Sequence, residues 1–124
     1  MEFSCTLHRG DGYLLVNIAG SPSSFEVWLG AAKDFSAQAS GLGYDRLLVN
    51  EVRLSVSMEM HEQMIAYQRD TNIFGQNGIV RFAVYCAGHS LSLYKHYERL
   101  TECSNWPDTK VFEDVEAAEK WLLS

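Results

Sequence analysis

Two cysteine–histidine pairs, each three residues apart, carry the residue types best suited to chemistry: Cys5 with His8, and Cys86 with His89. A thiolate beside an imidazole can act as a nucleophile, and both groups can bind a metal ion. Cys5 and His8 lie in a predicted strand, where residues three apart point to opposite faces and cannot share a metal. Cys86 and His89 straddle the predicted end of a strand and could converge, but no second ligand pair has suitable spacing. The sequence therefore predicts no metal site, and it favours a buried, unreactive Cys86 over a Cys86/His89 catalytic pair.

Two other stretches begin like known motifs and lack the residues that would complete them. Residues 61–65 start like the helix of a zinc protease, which needs a second histidine where Ile65 stands. We expect His61 to lie on an exposed polar helix face instead. Residues 41–46 begin like a dinucleotide-binding loop, but they lack its third glycine and precede a strand. The sequence therefore predicts no enzyme and no cofactor.

Composition and charge exclude several classes of function. The 124 residues fit a single domain, 1–124, and their formal net charge of −6 argues against binding to nucleic acid. No apolar run approaches the roughly 20 residues of a membrane helix, and the first residues lack the features of a signal peptide. Three widely spaced cysteines suit reduced thiols, so we expect a cytoplasmic protein.

Five short apolar runs predict β-strands. The first two flank a hairpin turn at Gly10, Asp11 and Gly12. The second run is apolar on both faces, which is typical of a strand covered on both sides. The predicted strands span residues 3–7, 13–19, 46–50, 79–86 and 110–112.

Amphipathic segments with polar caps predict four helices. Ser23 and Glu26 have the spacing of a capping box, and Gly41 ends the first helix. Residues 75–78 form the loop after the second helix. The predicted caps of the second, third and fourth helices are Ser57, Ser90 and Asp114. The residues predicted to face inward are Phe25, Trp28, Leu29, Ala32, Phe35 and Ala39 in the first helix, Met60, Met64 and Tyr67 in the second, Leu93, Tyr97 and Leu100 in the third, and Val115, Ala118, Trp121 and Leu122 in the last.

The resulting order is β-β-α-β-α-β-α-β-α. A hairpin followed by alternating strands and helices predicts an α/β domain with a mixed, mostly parallel five-stranded sheet and about four helices.

Four stretches of this pattern carry a family resemblance. They are the hairpin ending in Ile18-Ala19-Gly20, the apolar run 47–50 ending in Asn, the run 80–85, and the tail 111–122 ending in Trp-Leu. Together they resemble the SpoIIAA-like family, whose fold is shared with STAS domains and with the CRAL-TRIO lipid-transfer proteins. The resemblance implies a small bacterial protein that serves as a regulatory binding module.

The phosphorylated STAS proteins carry an Asp-Ser-Ser/Thr-Gly type motif where the second helix begins. This chain reads Leu54-Ser55-Val56-Ser57-Met58-Glu59 there, without the preceding Asp and the following Gly. A phosphate at a helix N-terminus would be tolerated electrostatically. The missing motif residues nevertheless predict that Ser57 is not a phosphorylation site.

The candidate site follows from topology, because ligands of open α/β sheets bind outside the carboxyl ends of the parallel strands. Helix amides and polar side chains there could hold an anion or a polar head group, and simple helix capping is the alternative. The predicted ligand- or partner-binding residues are Asn50, Arg53, Ser57, Cys86, His89 and Ser90.

These observations favour a non-enzymatic regulatory or binding module that engages a protein partner or a small amphipathic ligand. The alternative is a carrier of apolar ligands or lipids, which would need a large cavity beneath the first two long helices. A small Cys86/His89 enzyme ranks third. Trp28 and Tyr94 lie near the edges of their apolar stripes, and such exposed aromatics would favour a homodimer.

Overall fold

The computed structural model describes residues 2–92, 94–95 and 107–124, without the side chains of Arg69 and His89. The strands are β1 (Ser4–Arg9), β2 (Leu14–Gly20), β3 (Arg46–Leu54), β4 (Arg81–Tyr85) and β5 (Asp108–Phe112). The helices are α1 (Phe25–Gly41), α2 (Met58–Thr71), α3 (Ile73–Gln76) and α4 (Val115–Leu122). A 3-10 turn, Gly88–Ser90, follows β4 and leads into helical residues at 91, 92, 94 and 95. The predictions for Leu93, Tyr97 and Leu100 fall outside the described residues.

The five strands form one sheet in the order β1-β2-β3-β4-β5. β1 and β2 are antiparallel across the predicted hairpin, whose Gly10 N–H donates to the Tyr13 carbonyl at 2.9 Å. Every later pair is parallel. The predicted mixed α/β sheet is confirmed, including the parallel pairing of β3 with β4.

Helix starts depend on which residue adopts an extended backbone and offers an acceptor. Ser57 and Asp114 cap α2 and α4 as predicted, accepting from the amides of Met60 and Glu116. The predicted cap of α1, Ser23, was wrong by one residue. Ser24 has the extended backbone, and its Oγ accepts from the Val27 amide at 3.3 Å.

The predicted loop after α2 is shorter than expected, because residues Ile73–Gln76 form α3. Asn72 separates the two helices with a left-handed backbone, φ 49°. Asn tolerates this conformation better than most residues, so α2 can end there and a new helical turn can begin at once.

The two faces of the sheet are covered unequally. α1, α2 and α3 cover one face, and the core there includes Leu14, Val16, Ile18, Leu47, Val49, Phe82 and Val84 from the strands and Ala32, Phe35, Met64 and Phe74 from the helices. α4 covers the other face only over the later strands, where Ala118 and Leu122 pack on Leu48 and Ala83. No helix in the described ranges is long and apolar enough to cross a membrane.

Two aromatic side chains expected near the surface are buried. Trp28 is 3% exposed and stacks on Phe25 with 5.7 Å between ring centroids, and Tyr94 is 6% exposed. The expectation of exposed rings was wrong, because the α1–α2 layer encloses more aromatic area than helical periodicity alone indicates. The homodimer prediction loses the observation on which it was based.

Two arginines from the amino ends of the central strands hold the C-terminal end of α4. Arg46 donates to the Leu122 carbonyl, and Arg81 donates to the carbonyls of Trp121 at 2.7 Å and Ser124 at 2.9 Å. The Arg81 guanidinium also lies 5.3 Å from the centroid of the Trp121 ring. Cations at a helix C-terminus satisfy its free carbonyls and complement its dipole. This contact fixes α4 against the sheet.

We expect Arg81→Met to lower the free energy of unfolding by about 1–3 kcal/mol, because it removes charge-assisted hydrogen bonds and a cation–π contact. Urea unfolding followed by circular dichroism measures the change. Arg9→Met, at the exposed end of β1, is the matched control and should change stability by less than about 0.5 kcal/mol. Equal effects of the two substitutions would contradict the role given to Arg81.

Candidate functional site

The structure separates the predicted site residues into different places. Asn50 and Arg53 line a groove on the sheet face opposite α2, whereas Ser57 is exposed at the start of α2. Cys86 is buried in the core beneath the helices. Ser90 lies in the 3-10 turn, and its N–H donates to the Ala87 carbonyl. The side chain of His89 lies outside the described residues.

A one-residue bulge at the carboxyl end of β3 places Arg53 on the groove face beside Asn50. Asn17 pairs with Asn50 and Ala19 pairs with Arg53, so β3 advances three residues while β2 advances two. Strand residues alternate between the two faces, and an inserted residue resets the alternation. Glu51 therefore points beneath the helices, and Arg53 returns to the face that Asn50 occupies.

Beneath α2, a group of polar side chains lies inside the apolar layer. The Tyr94 hydroxyl donates to Glu51 Oε1 at 2.9 Å, and the Tyr94 ring packs edge-on against His61 with 4.9 Å between centroids. Gln68 lines the same enclosed space. We call Glu51, His61, Gln68 and Tyr94 the buried polar cluster.

Burial dominates the ionisation of this cluster. It raises the pKa of Glu51 to about 7, although the hydrogen bond from Tyr94 favours the charged carboxylate and opposes the rise. Burial also lowers the pKa of His61, while the charge of Glu62 acts in the opposite direction. Both groups therefore favour their neutral forms, as expected where water cannot solvate a charge.

The predicted location of His61 was wrong. Glu62 and Gln63 are exposed, but His61 is only 4% exposed and faces the sheet. The face of α2 that packs against the sheet is thus wider than predicted, because it includes His61 in addition to Met60, Met64 and Tyr67. The spacing of His61 with Ile65 and Gln68, four and seven residues on, was the signal that could have placed it inside.

Cys86 lies close enough to this region to experience its charges. Desolvation, and to a smaller extent the carboxyl groups of Glu51 and Glu113, raise the pKa of its thiol to about 11, while Lys95 opposes the rise. A thiol with so high a pKa stays protonated at neutral pH and is a poor nucleophile or metal ligand. Cys86 therefore behaves as the small buried residue that the sequence predicted.

The enclosed space beside the cluster has a volume of about 20 Å³. That is room for about one water molecule. Glu51, His61 and Tyr94 have the functional groups of acid–base chemistry, but a substrate has no room beside them. The arrangement stabilises neutral polar groups inside the core and does not form an open cleft.

The surface between the carboxyl end of β3 and the start of α2 carries exposed apolar side chains. Ser57 Oγ accepts from the Met60 amide at 3.1 Å, which holds the start of α2 in place. The next residue, Met58, is 63% exposed, and Val52 in the β3 bulge is 39% exposed. The loop between them is anchored to β2, because the Ser55 amide donates to the Gly20 carbonyl and Ser21 Oγ donates to the Ser55 carbonyl. We call Val52, Ser57 and Met58 the apolar edge.

Solved structures show the same architecture over almost the full chain. A protein described as an anti-sigma factor antagonist from Mycobacterium paratuberculosis aligns with a TM-score of 0.65 at 12% identity, covering 99% of this chain and 96% of that one. An uncharacterized DUF3478-family protein from Shewanella loihica PV-4, described as having a SpoIIAA-like fold, aligns with a TM-score of 0.62 at 17% identity, covering 97% and 93%. The chain has the SpoIIAA-like fold.

The unphosphorylated anti-sigma factor antagonist SpoIIAA itself aligns with a TM-score of 0.53 at 10% identity, covering 95% of this chain and 97% of that one. No protein-family model matches the chain, and no curated protein matches it. The predicted resemblance is therefore confirmed at the level of the fold.

Within this SpoIIAA-like fold, we expect Glu51 to make stability fall as pH rises. Its pKa is raised from 4.5 to about 7 on folding, so its favourable contribution is complete below about pH 4.5 and is lost as pH rises through 7. The loss is up to about 3 kcal/mol. His61, with a lowered pKa, acts in the opposite direction, so its stabilising contribution is present above about pH 6.5 and is lost as pH falls.

The difference between wild type and Glu51→Gln isolates the Glu51 contribution. Gln keeps an acceptor for the Tyr94 hydroxyl and cannot ionise. Urea unfolding at pH 5, 6, 7 and 8 should show the variant gaining stability relative to wild type as pH rises. Glu26→Gln, exposed on α1, is the control and should run parallel to wild type. A Glu51→Gln curve parallel to wild type would refute the assignment.

Proposed function

We propose that the chain is a non-enzymatic regulatory module that binds a protein partner through the apolar edge. The observation that carries this proposal is Met58, which is 63% exposed immediately after the cap of α2. Met adapts its shape to irregular partners, and it is enriched at the cores of protein interfaces. Val52, at the carboxyl end of β3, is also exposed.

The rigidity of the apolar edge supports a binding role. The Ser57 cap fixes the first turn of α2, and two hydrogen bonds tie the preceding loop to β2. The backbone of such an ordered turn loses little conformational freedom when a partner covers it. Exposed apolar groups on a well-ordered edge are therefore better explained by binding than by packing.

The comparisons support the same class of function. Two of the similar structures are described as anti-sigma factor antagonists. Those descriptions concern proteins that act on other proteins, and this chain presents its apolar edge on the same fold. We infer a protein partner for this chain on that basis, together with Met58 and Val52.

The internal chemistry favours this proposal over the two alternatives. The Cys86 thiol, with its pKa raised to about 11, lacks the thiolate character of a catalytic cysteine. A lipid carrier would need a large apolar cavity beneath α1 and α2. The described residues beneath α2 enclose about 20 Å³, lined in part by polar groups. The pocket at the C-terminal end of α1 has a volume of about 420 Å³, but it is open to solvent and Arg9 and Gln38 are in its lining, so it is not an enclosed apolar cavity.

The partner can be identified and the surface tested in one series. A photo-crosslinking residue at position 58 in the full chain, expressed in its source cells, should capture one protein that the same residue at position 42 does not. Leu42 is exposed at the opposite end of the sheet, after α1. With that protein purified, calorimetry should show that Met58→Asp weakens binding at least about tenfold, because a charge replaces a buried contact.

Leu42→Asp is the matched control and should change the affinity by less than about twofold. Circular dichroism confirms that both variants fold. Equal binding of both variants to the purified partner, or equal crosslinking from positions 42 and 58, would contradict the proposal.

We also expect Ser57 to carry no stoichiometric phosphate. Its Oγ is engaged as the cap of α2, Glu59 adds a like charge in the first turn, and the flanking Asp and Gly of the phosphorylated motif are absent. Intact-mass measurement on protein purified from its source cells tests this directly. A fully phosphorylated chain with the phosphate localised to Ser57 would overturn the expectation.

A further inference from the structure

The half of the sheet face that α4 leaves uncovered carries a polar groove. Its volume is about 370 Å³, within the range of small-molecule sites. β1, β2 and β3 form its floor, and the bulge in β3 places Arg53 beside Asn50 on this face. Ser4 and Thr6 of β1 complete its polar lining. None of these residues belongs to the apolar edge or to the buried polar cluster.

The side-chain amides in the groove have fixed orientations. The Val52 backbone N–H donates to Asn50 Oδ1 at 3.1 Å, so that atom must be the oxygen. Asn50 Nδ2 consequently faces Asn17 and donates to Asn17 Oδ1 at 2.9 Å. This leaves the Asn17 Nδ2 group, with two N–H donors, at the groove. Among the described residues it donates no other hydrogen bond.

The groove therefore presents an excess of donors. Arg53 adds a guanidinium that makes no ion pair within the described parts of the chain. Ser4 and Thr6 add exposed hydroxyl groups. No carboxylate is among the described residues that line the groove, although acidic residues exceed basic ones in the chain as a whole. A guanidinium beside an amide donor matches the geometry of a carboxylate or phosphate oxygen.

We propose that this groove binds a small organic anion, with its carboxylate or phosphate group held between Arg53 and the Asn17 amide. The hydroxyl groups of Ser4 and Thr6 orient the remaining polar atoms of the ligand. The proposal is separate from the proposed partner surface, because none of the residues that line the groove belongs to the apolar edge. With this groove, the chain has two proposed binding surfaces: the apolar edge for a protein partner and the groove for an anion.

Nuclear magnetic resonance titration of the full chain tests the proposal directly. Inorganic phosphate and acetate are the probes, added at constant ionic strength against sodium chloride and at constant pH. We expect saturable shifts of the Asn17 side-chain amide and of the backbone amides of Val52 and Arg53. Phosphate and acetate titrated separately distinguish a phosphate ligand from a carboxylate ligand.

Two substitutions should abolish the response without unfolding the chain. Asn17→Asp keeps the acceptor for Asn50 Nδ2 but replaces the free donor with a charged acceptor, and Arg53→Gln removes the cation. We expect either change to raise the dissociation constant at least about tenfold. Arg9 is a cation outside this groove, so Arg9→Gln should leave the dissociation constant unchanged.

The spectra themselves report whether each variant is folded. Shifts that do not saturate, or that persist in Asn17→Asp or Arg53→Gln, would overturn the proposal. So would an absence of shifts with both anions in the folded wild-type chain.

Discussion

The bulge in β3 is the constraint on which both outer surfaces depend. A regular strand would turn Arg53 toward α2, where burial would remove water from its guanidinium. The extra residue instead leaves Glu51 inside, exposes Val52, and sets Arg53 on the open face. The Val52 N–H, freed from regular pairing, becomes the donor that fixes the Asn50 amide. One inserted residue thus determines the side-chain directions of Val52 and Arg53.

Unequal coverage of the sheet gives its two faces different roles. The face beneath α1 and α2 is a continuous apolar layer that disfavours charged groups, and its burial of Glu51 raises the pKa of that carboxyl to about 7. The other face is apolar where α4 packs and polar where α4 does not reach. This division appears in a single cross-strand row that runs from Thr6 and Asn17 through Asn50 to Tyr85 and Phe112. Side chains at one level of the sheet therefore change from hydrogen-bonding groups to aromatic rings over five strands.

Local patterns in the sequence were sufficient to predict the architecture. Short apolar runs and the caps Ser57 and Asp114 identified the order of the elements along the chain and two helix starts, because these signals act between residues close in the chain. The burial of His61 was missed because it depends on the Tyr94 ring and on the Glu51 carboxyl, which come from other elements. The short α3 was missed because a left-handed Asn72 has no fixed sequence signature.

The sequence predicted residues that line the groove, but it did not predict which face of the sheet each side chain occupies. Topology correctly placed Asn50 and Arg53 at the carboxyl end of β3, yet a bulge changes which face each side chain occupies. Asn50 and Arg53 therefore share the open face, whereas Cys86, which follows β4, is buried beneath the helices on the other face. Met58 is exposed because of the way in which α2 packs on the sheet. Composition and residue spacing do not specify that packing.

The strand order has a consequence for synthesis on the ribosome. Since spatial order equals chain order, each new strand pairs with the edge formed just before it, and none is inserted between strands already paired. The sheet can therefore grow outward as the nascent chain emerges, with low loop-closure cost at each step. α4 is the last described element, so Leu48 and Ala83 remain uncovered until it emerges. A chain stalled after β4 would expose this apolar strip, which is the kind of surface that chaperones bind.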